Sequence, residues 1–247
     1  MRMRLSLPVF GASCLFALGM CGCTDAPGKP NRAETPVVPS EVSDFKVLYA
    51  QNCAGCHGSD GKGGAAIALG DPVYLAIAND AVLARATASG ISGTSMPAFA
   101  QSAGGMLTTK QIDVIVSGIR MHWSKANIFA GADPPPYASS APGDPARGST
   151  VYAAYCFSCH GPGGRGGQKA KSIVDGSFLA LINDQALRTI VIAGRPELGA
   201  PDWRSDVPGR PMSAQEVSDV VAWLASHRPT FPGRPFPKTA IATGEIR

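Results

Sequence analysis

A chain of 247 residues is long for one compact unit and comfortable for two of about 80 to 100 residues each. The net charge of +4 drops to +2 when Arg2 and Arg4 are set aside with an export leader, so charge says little about partners. No basic run with interleaved aromatics appears, which excludes the usual signature of nucleic-acid binding.

In chain order, Arg2 and Arg4 precede the apolar stretch Leu5 to Met20, which reads as an export signal and is too short and too interrupted by Pro and Gly for a membrane span. Cys21 and Cys23 follow at once, in a setting that resembles a bacterial lipoprotein processing site, although Met20 stands where a small residue is expected. Residues 1–23 are therefore expected to be an export or lipoprotein signal and 24–40 a flexible spacer, with a plainly cleaved signal or an uncleaved anchor as the alternatives. The expected location is periplasmic or on the outer face of a membrane, held by an N-terminal lipid.

The string Cys-x-x-Cys-His comes next, as Cys53, Cys56 and His57, and recurs as Cys156, Cys159 and His160. Two thiols three positions apart can add to the two vinyl groups of one porphyrin, and the next residue then offers an imidazole to the iron. Composition alone supplies about 0.003 such pentads in a chain of this make-up. A zinc site, a redox dithiol or a pair of disulfides would use the thiols but does not require a His abutting the second Cys in both copies. Each motif is thus read as a covalent haem attachment site, and two c-type haems are expected. Of the 7 cysteines, Cys14, Cys21 and Cys23 lie in or beside the leader, so the four left all belong to the two motifs. A covalently held haem then has to do the stapling that disulfides do in other small exported domains.

The second half repeats the first after a shift of about 104 residues. His57-Gly58 with Gly61, Gly63 and Gly64 is mirrored by His160-Gly161 with Gly164, Gly166 and Gly167, and Asp71 to Ala76 by Asp175 to Ala180. Asn79-Asp80 and Asn183-Asp184 place Asx caps before helices over 81–89 and 185–193. Thr108 to Gln111 and Ser213 to Glu216 are capping boxes. Apolar residues at helical spacing follow each box: Ile112, Ile115, Val116 and Ile119, then Val217, Val220, Val221 and Leu224. The natural partner of each such helix is the one leading into the haem motif, marked by Phe45 and Tyr49, and by Gly148 and Tyr152. Gly148 allows a close crossing; Phe45 in its place predicts a looser one.

Together these features resemble the class I cytochromes c, over residues 41–123 and 145–228. The resemblance implies an all-α fold of two tandem haem domains, joined by a Pro-rich linker over 124–144 and followed by a Pro-rich tail over 229–247. It also implies a sixth iron ligand at Met96 in the Ser95-Met96-Pro97 loop. In the second repeat the aligned dipeptide is Ala200-Pro201, and Ala cannot ligate iron. Three outcomes stay open there: Met212 folding back from the longer loop, His227, or an open position.

The function expected is that of a dihaem carrier, passing single electrons between redox partners in the envelope, such as a quinol-oxidising or oxidase complex. The rival is a peroxidase-like enzyme or a small-ligand binder using an open second haem, with Arg195, Glu197, Asp202 and Arg204 as the nearby polar groups. A gas sensor is a further class, for which no output domain is evident.

Overall fold

A computed structural model describes residues 36–204 and 207–230. The expected export signal and spacer up to residue 35, with Cys14, Cys21 and Cys23, and the tail from 231 onward lie outside the described residues.

Ten α-helices appear among the described residues, and the only strand-like features there are isolated bridges. The first five are α1 (Phe45–Asn52), α2 (Ala54–His57), α3 (Pro72–Ile77), α4 (Asp80–Ser89) and α5 (Thr109–Trp123). The other five repeat the pattern: α6 (Pro145–Tyr155), α7 (Phe157–His160), α8 (Gly176–Ala180), α9 (Asp184–Ala193) and α10 (Ala214–Ser226). The all-α expectation holds. So do its local causes: Asn79 and Asn183 cap α4 and α9 through Val82 N and Ala186 N, and both capping boxes close. The apolar stripes predicted for α5 and α10 are all buried.

In each repeat the last helix packs on the entry helix, α5 on α1 and α10 on α6, with the second crossing the more extensive. The two crossings invert one pair of residues. In the first, Phe45 of α1 fills the space over Gly118 of α5, where any Cβ would collide with the ring. In the second, Gly148 of α6 lies against α10, and a Cβ there would collide with the Asp219 carbonyl and come within 2.7 Å of the Trp223 Cβ. Gly118 and Trp223 are counterparts, as are Phe45 and Gly148, but the Phe45 ring covers Gly118, whereas Gly148 lies against the α10 backbone and the Trp223 ring stacks on Tyr152 as Trp123 packs on Tyr49.

An arginine ties the middle helices to the last helix in both repeats. Arg120 pairs with Asp80 at 2.6 Å and donates to the carbonyls of Leu75 and Ala78. Arg228 pairs with Asp184 at 2.9 Å and donates to Leu179 O and Ile182 O at 3.0 and 2.9 Å. The targets are counterparts, yet Arg228 stands one helical turn beyond the counterpart of Arg120, which is Ala225. Linear alignment therefore misses the shared role.

The N-terminus of α6 is fastened to α10 by Asp219, a buried carboxylate that accepts from Arg147 Nε at 2.8 Å, Asp144 N at 2.8 Å and Gln215 Nε2 at 2.9 Å. The Arg147 guanidinium, opposed by burial, holds its pKa down at about 2. Unfolded Asp titrates near 3.9. The stabilisation is thus complete above about pH 5 and is lost as pH falls through about 4 toward 2. Urea midpoints measured from pH 6 to pH 2 are expected to fall in that window, and Asp219→Asn is expected to be less stable at pH 6 and flatter below it.

Residues 124–144 are bolted down rather than slung between the repeats. Pro135 is buried, and Ile128, Phe129, Ala132 and Tyr137 pack against the main apolar cluster, which runs continuously through both repeats. Arg188 Nε donates to Pro136 O and Tyr137 O at 3.0 and 3.2 Å, Gln185 Nε2 to Tyr137 O at 2.8 Å, and Arg204 Nη1 to Ile128 O at 2.8 Å. Carbonyls that Pro-rich chain cannot pair for itself find donors on the second repeat.

Candidate haem-binding sites

Both Cys-x-x-Cys-His motifs adopt the same backbone. The first Cys of each breaks the entry helix with φ near −119° at Cys53 and −113° at Cys156, and then starts a one-turn helix. His57 N bonds to Cys53 O and His160 N to Cys156 O, both at 3.0 Å. That turn brings the two thiols and the imidazole of each motif to one side. Gly58 and Gly161 then leave the turn with φ of 84° and 68°, and a Cβ on either would collide with a carbonyl, that of Lys62 or Gly166. Tyr49 and Tyr152 hold the exits by donating to Gly58 O, at 2.9 Å, and to Gly161 O, with Trp123 and Trp223 against their rings.

The histidines are oriented by the loops that follow. His57 Nδ1 donates to Ile67 O and His160 Nδ1 to Lys171 O, each at 2.8 Å. This fixes the tautomer, leaving the lone pair on Nε2. His57 is 6% exposed, its Nε2 is buried without a hydrogen-bond partner, and burial lowers its pKa, which favours the neutral ring. A neutral, oriented imidazole with an orphaned buried nitrogen is what an iron requires and what an apolar core would not tolerate. The residues present therefore fit a haem. Cys53 is buried, which pushes its thiol up to about 11, while Cys56 is exposed.

The loop carrying Met96 is folded back by Ile91 N donating to Met96 O at 3.1 Å, and by Met96 N donating to Thr94 Oγ1 at 3.1 Å. Its counterpart is folded by Arg195 N donating to Ala200 O at 2.9 Å. A Cβ on Gly90 would come within 2.7 Å of Met96 O, and one on Gly194 within 2.7 Å of Ala200 O. Ala200 thus occupies the backbone slot of Met96. Met212 is elsewhere: its N–H bonds to Trp203 O at 2.9 Å as Leu107 N bonds to Phe99 O at 2.7 Å, and at 2% exposed it belongs to the apolar cluster. His227 ends α10, with Nδ1 bonded to Trp223 O at 2.8 Å, as His122 Nδ1 bonds to Gly118 O at 2.9 Å.

The polar groups near Ala200 pair with one another. Arg195 pairs with Glu197 at 2.5 Å, and Arg204 pairs with Asp202 at 2.6 Å while lying over the Trp203 ring at 4.9 Å. The repeats also meet through Asn183 Nδ2, which donates to Ser92 O at 2.8 Å in the loop before Met96. None of these contacts has a periodic or motif signal in sequence.

Comparison with known proteins gives three findings. The sequence model of the family described as "Cytochrome C oxidase, cbb3-type, subunit III" matches residues 40–117 and 143–224. The cbb3-type cytochrome c oxidase subunit FixP of Azorhizobium caulinodans is 33% identical over 150 residues, which make up 56% of this chain and 45% of that protein. The chain thus spans less than half the length of that relative. A chain of the Kuenenia stuttgartiensis reducing HAO-like protein complex Kustc0457/Kustc0458 superposes with a TM-score of 0.41 at 17% identity, over 79% of this chain and all of that one. At that score it carries no argument. Among the described residues no helix is long and apolar enough to cross a membrane.

Proposed function

We propose, because the chain belongs to the family of cytochrome c oxidase, cbb3-type, subunit III, and is a c-type cytochrome of electron transfer, that it holds two haems and hands single electrons between redox proteins of the cell envelope. Bound there, haem iron supplies a one-electron ferric/ferrous couple. Cys53 and Cys56 would hold the first haem by thioether bonds and Cys156 and Cys159 the second; His57 and His160 would ligate the two irons. The observation that carries the reading is the duplicated His Nδ1 bond to a loop carbonyl, which frees Nε2 for a metal in both repeats. The residues here bind and orient: electron transfer needs no proton relay, and Arg195, Glu197, Asp202 and Arg204 are taken up in ion pairs with one another.

Met96 would be the sixth ligand of the first iron. For the second iron we favour an open sixth position over Met212, because Ala200 fills the Met96 slot and Met212 the Leu107 slot. An open position adds a second reading, a small-ligand site on the second haem. The expected partners are a donor and an acceptor protein, such as those of a respiratory membrane complex, and the expected location is exported and lipid-anchored. The test is a haem count by pyridine haemochromogen with a potentiometric titration. Two haems per chain and two reversible one-electron steps are expected; one haem, or no reversible step, would end the proposal.

A further inference from the structure

The second repeat reaches into the first at a point that its own haem does not require. Arg195 opens the loop that ends at Ala200, where the first repeat has the uncharged Ile91. Its Nη2 crosses between repeats and donates to Gly64 O at 2.9 Å, while its Nε holds Glu197 at 2.5 Å. Their side chains are only 12% and 15% exposed, and Glu197 Oε2 is buried without a hydrogen-bond partner. Charges so withdrawn from water act over longer distances than solvated ones.

Gly64 belongs to the loop that serves the first haem motif. A Cβ on it would collide with the Cys56 carbonyl, Ala66 N donates to that same carbonyl at 2.9 Å, and Ile67 O accepts from His57 Nδ1. Arg195 therefore braces, from the other repeat, the strip of chain that positions Cys56 and His57. Its counterpart Ile91 has no charge to return.

We infer that the Arg195–Glu197 pair of the second repeat sets the reduction potential of the first haem, the arginine raising it and the glutamate holding that rise in check. The inference rests on the two-haem reading above. Ferric haem carries one more positive charge than ferrous, so a nearby cation disfavours oxidation and an anion favours it. Arginine makes the direct contact with the Cys56–Ile67 loop, so its sign prevails there. Ordering the two potentials decides which haem fills first.

The experiment is a potentiometric titration of the full-length, haem-loaded protein, followed by electron paramagnetic resonance so that the two ferric signals are read separately. Arg195→Gln is expected to shift the first haem's equilibrium toward the ferric form by about tenfold, which is 59 mV for one electron. Glu197→Gln is expected to shift it the other way, and Arg195→Lys, which keeps the charge, to stay near the parent. Loosening of the loop alone would move both neutral variants in the same direction. Shifts of equal sign, or a first haem unmoved with both haems in place, would overturn the inference; a haem count other than two would overturn the reading beneath it.

Discussion

Fully oxidised, haem-loaded protein is expected to give one low-spin and one high-spin ferric signal in low-temperature electron paramagnetic resonance, and Ala200→Met is expected to turn the high-spin signal low-spin. The reason is the identity of two backbone slots. Ile91 N to Met96 O and Arg195 N to Ala200 O are the same bond in the two repeats, and Gly90 and Gly194 press on the same carbonyl. A methionine placed at 200 would start from the backbone that presents Met96. Ligation should raise the second haem's potential, on a scale set by the roughly 0.8 V that axial ligands span. Met96→Ala should do the reverse to the first haem, making it high-spin and lowering its potential. Met212→Leu should leave both signals alone, since Leu is what the first repeat has at that place. Two low-spin signals in the parent, with one lost in Met212→Leu, would make Met212 the second sixth ligand.

The second large effect concerns the inverted helix crossing. Gly148→Ala is expected to destabilise the protein by about 2 kcal/mol, because about 3 kcal/mol of overpacking exceeds the roughly 1 kcal/mol that Ala gains as a helix former. The obstructing group is the Asp219 carbonyl, which belongs to the backbone of α10 and cannot rotate aside. Gly118→Trp, which puts the second repeat's residue into the first, should cost at least as much against Phe45. Phe45→Gly should cost about 2 to 3 kcal/mol through the cavity it leaves. Combining them removes the ring that the new side chain meets and should recover at least about 1 kcal/mol relative to the sum of the singles. Urea denaturation of the four proteins of that cycle measures it. Strict additivity would mean that the two residues do not share the space.

Much of this was legible because it is local. A capping box, an Asx cap or a Cys-x-x-Cys-His turn is a bargain among residues within one or two helical turns, so Thr108 to Gln111, Asn183 and both haem motifs could be read without knowing what they pack against. The repeat added long-range information, since aligning the halves exposed Ala200 opposite Met96 before any coordinates. Phe45 predicted a looser first crossing, and that crossing is the less extensive of the two, with the glycine that admits its ring on the opposite helix, at Gly118. Aligned positions misled where function moved along the chain. Arg228 does the work of Arg120 from a position one turn away.

The haem chemistry of the family, the all-α class and the duplication, with Ala200 opposite Met96, could be read from the sequence because Cys-x-x-Cys-His motifs and helix caps are written in short spacings. It took the packed helices to show where Met212 goes, that Pro136 and Tyr137 are held by Arg188, and that Arg195 belongs as much to the Cys56–Ile67 loop as to its own. The Arg188 and Arg195 contacts join residues 51 to 131 positions apart and are made by long side chains whose targets are backbone carbonyls. Every residue but proline offers the same carbonyl and N–H, so no residue type marks the acceptor, and the partner is chosen only when the helices have packed.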